Sequence, residues 1–163
     1  MEANLPKSTI PSRSPVPKPL RCEPLLYQRG AVGKPYASTR HSHPFWQIEI
    51  ATAGFFAAEA GGKLFPFRPG GLLAIPPRVP HRFEYEAGAA YLTFKFRVHG
   101  LRGDPETARF GEGDLVRTLG NALERLLPPA GEGDAHVREM VAHLLATIVL
   151  TQYRPHDARR EPP

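Results

Sequence analysis

Hydrophobic and polar residues alternate with a period of two over much of the chain between residues 23 and 98. In the run 91–97, for example, Leu92, Phe94 and Phe96 share one face and polar residues or tyrosine fill the other. Because strand side chains point alternately to opposite faces, this pattern predicts strands with one buried face. Glycine and proline separate the runs at regular intervals, which is typical of an all-β sandwich or barrel. The predicted strands are 24–28, 45–52, 55–59, 63–67, 71–75, 81–86 and 91–98.

After residue 100 the apolar period changes to about 3.6, which predicts helices. Asp114 can cap a first helix that ends before Pro128, and Asp134 can cap a second helix over 135–153. The second helix is apolar over a wide face, so we expect it to contact the β-domain and a second subunit, with one broad intramolecular contact as the alternative. The predicted apolar stripe of the first helix is Leu115, Leu119, Ala122, Leu123, Leu126 and Leu127.

The two ends of the chain differ from its centre. Residues 1–21 contain five prolines and few large apolar side chains, which predicts a flexible, extended arm, and residues 154–163 form a polar tail. The net charge is +5. Most of the excess positive charge lies in these ends, so the central residues are not expected to present a basic nucleic-acid-binding face.

Cys22 is the only cysteine, which excludes an internal disulfide and favours a reducing compartment. The N-terminus lacks the apolar segment of a secretory signal, and the most apolar helical stretch is too short and polar to span a bilayer. We therefore expect a cytoplasmic protein without membrane contact.

Three histidines stand out against this background. His41 and His43 are one residue apart, and His81 begins a later predicted strand in which Tyr85 shares its face. Gln47 has the same odd-numbered spacing as His41 and His43 and is expected on the same face. The opposite face of this segment is large and apolar. We interpret the apolar face as covered by another element and the polar face as lining an interior pocket. Imidazole can bind a metal ion or exchange hydrogen bonds with a polar ligand there.

These residues resemble the first motif of the cupin superfamily, which has the form His-x-His, a later glutamate, then glycine. In this chain the motif reads His41-Ser-His43-Pro-Phe-Trp-Gln47 and ends at Gly54. Gln47 stands where metal-binding cupins usually carry glutamate. A neutral amide oxygen is a weaker ligand for a hard dication, so metal affinity should fall.

The second cupin motif resembles the segment from Gly70 to His81. Arg78 occupies the place of the family's turn glycine, and Tyr85 that of its asparagine.

Further runs resemble the N-terminal domain of AraC-type transcription regulators. They are residues 67–77, 80–83 and 92–96, and the whole resemblance covers about residues 20–153. It implies a mainly β fold, a cupin barrel (double-stranded β-helix or jelly roll) followed by two C-terminal α-helices. The expected organisation is an N-terminal arm over 1–21, a β-barrel over 22–98, a linker and dimerising helix pair over 99–153, and a tail over 154–163.

The resemblance implies a ligand-sensing and dimerisation domain that is not an enzyme. A small polar effector, sugar-like or an organic acid, is expected in the barrel, with a homodimer formed through the C-terminal helix. DNA contact is expected only through a helix-turn-helix domain absent from this chain. The alternative is a free-standing metal-dependent cupin enzyme of the sugar isomerase, epimerase or dioxygenase type, for which Glu49 is the carboxylate on the pocket face.

The candidate site follows from both lines of reasoning, and no catalytic residue is assigned. The predicted ligand-binding residues are His41, His43, Gln47, His81 and Tyr85. The candidate metal ligands are His41, His43, Gln47 and His81, for Zn, Ni or Fe as a possible cofactor.

Overall fold

The structure, a computed structural model, describes residues 21–100 and 107–126, together with positions 137, 139–141, 143, 144 and 147. The predicted arm up to residue 20, the tail and much of the predicted second helix lie outside the described residues. The strands are β1 (Arg21–Ala31), β2 (Tyr36–Ala37), β3 (Trp46–Ala53), β4 (Phe56–Ala60), β5 (Lys63–Phe67), β6 (Gly71–Ile75), β7 (His81–Tyr85), β8 (Ala90–His99) and β9 (Arg109–Glu112), followed by helix α1 (Asp114–Leu126).

The strands form two antiparallel sheets. One has the order β1-β8-β3-β6-β9 and the other the order β2-β7-β4-β5. The chain crosses repeatedly from one sheet to the other, as in a jelly roll, so the mainly β cupin-like fold is confirmed. The prediction of a closed barrel is wrong in this respect: among the described residues no strand ladder joins the edges of the two sheets, which form an open sandwich.

One core lies between the five-stranded sheet and the helical segment. It contains alternate residues of β3, β6 and β8, packed against Leu123 of α1 and against Val141. Each large side chain buried in this way stabilises the fold by roughly 1.5–3 kcal/mol. The buried strand residues are Trp46, Ile48, Ile50, Leu72, Ala74, Leu92, Phe94 and Phe96.

A second core lies between the two sheets. Phe56, Phe67 and Phe83 of the four-stranded sheet pack there with Leu73 and Ile75 of β6. The sandwich interior is therefore filled with side chains over much of its length, and polar groups are confined to one part of it.

The first helix matches its predicted limits, but its apolar stripe is partly wrong. Leu115 is 83% exposed, whereas Val116, Leu119 and Leu123 pack on the sheet. These three follow the spacing of one helix face, and Leu115 lies about 100° away from Val116 around the axis. The described residues between 137 and 147 are also helical. No helix among the described residues is long and apolar enough to cross a membrane.

Two strands are absent from the sequence prediction. β2 is only two residues long and follows a proline, so its alternation is too short to detect. β9 lies inside the predicted linker and pairs with β6.

Candidate functional site

The three histidines meet at one place, as the sequence predicts. The ring centroids of His41 and His81 are 4.4 Å apart, and those of His43 and His81 are 4.8 Å apart. One potential ligand atom from each ring lies within 4.8 Å of the other two. The site thus brings three imidazoles close enough to act on a single ion or ligand group.

The backbone position of His41 and His43 differs from the prediction, which places them in line with the strand that carries Gln47. His41 forms an isolated antiparallel bridge with His81, through N–H···O bonds of 3.0 and 2.9 Å. The carbonyl oxygen of His43 accepts a 2.7 Å bond from the backbone N–H of Arg78. The pair His41 and His43 therefore lies in the segment that crosses from one sheet to the other, and not on β3.

In this arrangement Arg78 has a backbone φ of 64°, which lies in the left-handed region that favours glycine. This is the position at which the cupin motif carries glycine.

The tautomer of each histidine is determined by a backbone carbonyl. Each Nδ1 lies 2.8–2.9 Å from a carbonyl oxygen two residues away in sequence. Because a carbonyl can only accept, Nδ1 must carry the hydrogen, which leaves the lone pair of a neutral ring on Nε2. The pairs are His41 with Thr39, His43 with Phe45, and His81 with Val79.

The histidines extend from the surface into the interior. His41 is exposed, His43 is half-buried and His81 is fully buried. Burial lowers the pKa of His43 and lowers that of His81 to about 4, so His81 is neutral near pH 7. Nε2 of His81 has no hydrogen-bond partner within the part of the chain that the structure describes. A buried nitrogen of this kind is one for which a ligand atom would relieve a desolvation cost.

Glu49 lies deeper in the same site and is fully buried. Its carboxyl group accepts hydrogen bonds from Tyr85 Oη at 3.1 Å, Thr93 Oγ1 at 2.7 Å and Gln47 Nε2 at 3.2 Å. Burial raises the pKa of Glu49 to about 7, and these hydrogen bonds oppose the rise. Tyr85, which replaces the family's asparagine, therefore points inward as predicted and contacts an acid rather than a histidine.

Gln47 connects the histidines to Glu49. Its Oε1 lies 3.0 Å from Nε2 of His43. When His43 is an imidazolium it donates to this oxygen, and Glu49 is ionised. When His43 is neutral, the amide must turn over so that its NH₂ group donates to Nε2 and its oxygen accepts from protonated Glu49. The lowered pKa of His43 and the raised pKa of Glu49 both favour the neutral pair.

Sequence reasoning missed two residues of this site. Thr93 lies directly opposite Glu49 on β8, and Lys95 lies directly opposite Gln47. Both belong to the polar face of the predicted strand 91–98. The alternation of that strand indicates the face but not the partner, because the pairing of β3 with β8 joins segments more than 40 residues apart.

The site has the donor set of a transition-metal centre. Three imidazoles, each with Nδ1 against a backbone carbonyl and each offering one nitrogen within 4.8 Å of the others, can hold a divalent ion. The same nitrogens can accept hydrogen bonds from a ligand's hydroxyl groups. Gln47, the predicted fourth metal ligand, has its oxygen against His43, so that contact must separate before Gln47 binds an ion.

Comparison with known proteins identifies the family. The model of the AraC-like ligand-binding domain matches residues 31–159 of the chain. This chain belongs to that family. No curated protein matches the sequence.

Solved structures that match this AraC-like domain have low sequence identity to it. An apo variant of ToxT from Vibrio cholerae has a TM-score of 0.53 at 8% identity, over 81% of this chain and 54% of that one. ToxT bound to an unsaturated fatty acid gives 0.49 at 8% identity, over 82% and 54%. YhaK from Escherichia coli gives 0.48 at 9% identity, over 58% and 44%. The AraC-like domain thus spans about half the length of these proteins.

Proposed function

We propose that this AraC-like domain is the sensor of a transcription regulator and binds a small polar effector at the histidine cluster. The binding residues in this proposal are His41, His43, Gln47, His81 and Tyr85. The observation that carries it is the buried Nε2 of His81, which has no partner among the described residues and lies beside two other imidazoles. A ligand that supplies a hydrogen-bond donor satisfies that nitrogen, and the bound state is stabilised accordingly.

The experiment is thermal unfolding of the whole chain with a panel of sugars, polyols and organic acids. A true ligand raises the melting temperature by mass action in the wild type. His81→Ala should abolish the shift while circular dichroism shows a folded domain. His99→Ala is the matched control, since His99 is exposed at the end of β8 and contacts Glu23 of the edge strand β1. A panel without any shift would contradict the proposal.

We also propose that the helical side of the domain forms a homodimer. A cleft of about 420 Å³ lies there, lined almost entirely by apolar side chains. Met140 in this lining is 63% exposed, although it is a large apolar residue. Burial of such a surface against a second copy recovers the free energy that exposure to water costs.

Light scattering tests this interface. Met140→Glu should give the mass of a monomer, and Glu139→Gln, on the same segment, should keep the mass of a dimer. A wild-type mass equal to one chain would contradict the proposal. In this account DNA is contacted through a separate DNA-binding domain, and ligand and DNA binding are coupled through the dimer.

The second candidate is a metal-dependent cupin enzyme, favoured by the three histidines that each offer one potential ligand atom within 4.8 Å of the others. His41, His43 and His81 would hold the ion, with Gln47 as the fourth ligand after it leaves His43. A divalent ion would supply Lewis-acid chemistry to a bound substrate oxygen. Glu49 is the buried carboxyl group beside Gln47 that would accept or return a proton.

Zinc titration by calorimetry distinguishes the two candidates. One ion per chain that is lost in His43→Ala supports a metal centre, and turnover of a sugar or aromatic acid substrate would support the enzyme. A chain that binds no zinc, nickel or iron removes this second candidate.

A further inference from the structure

Lys95 places a positive charge beside the histidine cluster. It lies opposite Gln47 in the pairing of β3 with β8, on the same face of β8 as Thr93. Its Nζ lies 5.9 Å from the centroid of the Phe45 ring. That ring stacks on His43 with centroids 4.0 Å apart and planes 7° from parallel. The ammonium group therefore stands next to the part of the site that contains His43.

The charge of Lys95 has no counter-ion in the region that the structure describes. The side chain is half-buried, and no ion pair joins it to a carboxylate there. Arg97, two residues further along the same strand, pairs with Glu23 at 3.0 Å. The difference between these two cations is informative, because withdrawing an ammonium group from water without an anion costs free energy.

The groups around Lys95 do not neutralise it. His43 and His81 carry no anionic group, and each contacts a backbone carbonyl oxygen through its Nδ1. Glu49 is engaged with the side chains of Tyr85, Thr93 and Gln47, and within the described residues it forms no ion pair with Lys95. The ammonium group of Lys95 is therefore available to a ligand with one negative charge.

The nitrogen atoms of the histidines make a second demand on the ligand. Nε2 of His81 is an acceptor without a donor among the described residues. A simple carboxylate offers only acceptors, and a neutral polyol offers no charge for Lys95. A hydroxy acid meets both demands, with its carboxylate on the ammonium group and its hydroxyl hydrogen directed to Nε2.

We infer that the effector of this site is a small hydroxycarboxylate, held by Lys95 through its carboxylate and by His81 through its hydroxyl group. The inference rests on the proposed sensor function and selects one chemical class within it. Lys95 becomes the residue that distinguishes an organic acid from a sugar.

The test is thermal unfolding of the full chain at pH 7.5 and constant ionic strength, with three matched probes. Lactate carries both groups, propionate lacks the hydroxyl group and lactamide lacks the charge. Lactate, glycolate or 3-hydroxybutyrate should raise the melting temperature in proportion to the logarithm of its concentration. Propionate and lactamide should each require about tenfold higher concentration or more for the same shift, since each loses one charge-assisted or buried hydrogen bond.

Variants assign the charge to Lys95. Lys95→Met should weaken the response to the hydroxy acids about tenfold or more, and Lys95→Arg should keep most of it. Lys34→Met is the control, because Lys34 is an exposed lysine in the loop after β1. An undiminished response of Lys95→Met, or equal responses to lactate, propionate and lactamide, would overturn the inference.

The outcome also separates this inference from the sensor function. A shift caused by xylitol or a sugar, abolished by His81→Ala, with no response to any hydroxy acid, overturns the inference and leaves the sensor intact. The absence of a response to every acid, sugar and polyol overturns both.

Discussion

The two faces of the central strands β3 and β8 differ completely in character, although their residues alternate along the same backbone. On the face toward the helices, Ile48, Ile50 and Phe94 are at most 1% exposed and belong to an apolar core. On the face toward the other sheet, Glu49 is 0% and Thr93 5% exposed, and they form a hydrogen-bonded polar cluster. Burial of apolar side chains on one face stabilises the strands. This stabilisation offsets the free-energy cost of burying polar groups on the other face.

The comparison shows why the polar face is a site and not a packing defect. Each acceptor oxygen of Glu49 has a donor, and Nδ1 of His81 has its carbonyl, so most of the polar atoms are satisfied. Within the described residues the exception on this face is Nε2 of His81, and the other buried atom without a partner, Oγ1 of Thr52, has the parity of the apolar face of β3. A buried network that leaves one atom without a partner is the place where we expect a ligand atom to bind.

The largest effect is expected from the apolar face. Phe94→Ala removes a fully buried ring from the core between the sheet and α1 and should lower the free energy of unfolding by about 3–5 kcal/mol. Urea denaturation measures the change. The binding of a responsive effector, at a temperature where the variant is folded, should be unchanged. A loss of less than 1 kcal/mol would show that this face is not the main source of stability.

The pH dependence of stability tests the polar face. Glu49 has a folded-state pKa raised from 4.5 to about 7, so its contribution is present below pH 4.5 and is lost as the pH rises to about 7. His81 has a pKa lowered from 6.5 to about 4, so its contribution is present above pH 6.5 and is lost as the pH falls to about 4. The two contributions oppose each other between pH 4.5 and 6.5.

Glu49→Gln removes one of these opposing contributions. The stability of this variant should rise with pH more steeply than that of the wild type, by about 3 kcal/mol between pH 4.5 and 7. Urea denaturation at several pH values, on chelator-treated protein, gives both curves. Parallel curves would mean that Glu49 titrates at its ordinary pKa and is not buried as described.

A smaller effect is expected when Glu49 loses one donor. Thr93→Val keeps the shape of the side chain but removes the 2.7 Å hydrogen bond to Oε2 of Glu49. We expect a loss of about 1–3 kcal/mol at pH 8, where Glu49 is mainly ionised, and a smaller loss at pH 5. Thr118→Val, at an exposed position of α1, is the control. Equal losses at both pH values would contradict the assigned contact.

The smallest effect concerns the backbone that supports His43. Arg78→Gly relieves the left-handed conformation of Arg78, and glycine's greater freedom in the unfolded chain offsets part of the gain. The net stabilisation should be about 0.5–1 kcal/mol, measured by thermal unfolding. Destabilisation would indicate that the arginine side chain stabilises the turn more than its backbone strains it.

The sequence predicts the regular parts of this molecule well, for physical reasons. Residues such as Leu92, Phe94 and Phe96 alternate cleanly because one side of β8 packs on the helical segment, and α1 begins at Asp114, whose carboxylate in the first turn suits the helix dipole. The close approach of the three histidines is likewise predictable. His41 and His43 keep the odd-numbered spacing of Gln47, although they precede β3.

The sequence does not predict which side chains meet across the strands. Lys95 and Thr93 belong to the site only because β8 pairs with β3 in one register, and a slip of one residue would turn both away from Glu49. The alternation of apolar and polar residues also does not indicate whether the sandwich is open or closed, because strands have the same period of two in both. The roles of the site residues in binding remain predictions.

The most direct test of the central claim is ¹⁵N nuclear magnetic resonance of the histidine side chains. For His81 at pH 7, without ligand, we predict a neutral ring with the hydrogen on Nδ1 and a bare Nε2, and no protonation above about pH 5. A hydroxy acid that binds should then shift the Nε2 resonance toward that of a hydrogen-bonded acceptor. A hydrogen on Nε2 at pH 7, or titration near the ordinary value of 6.5, would contradict the account.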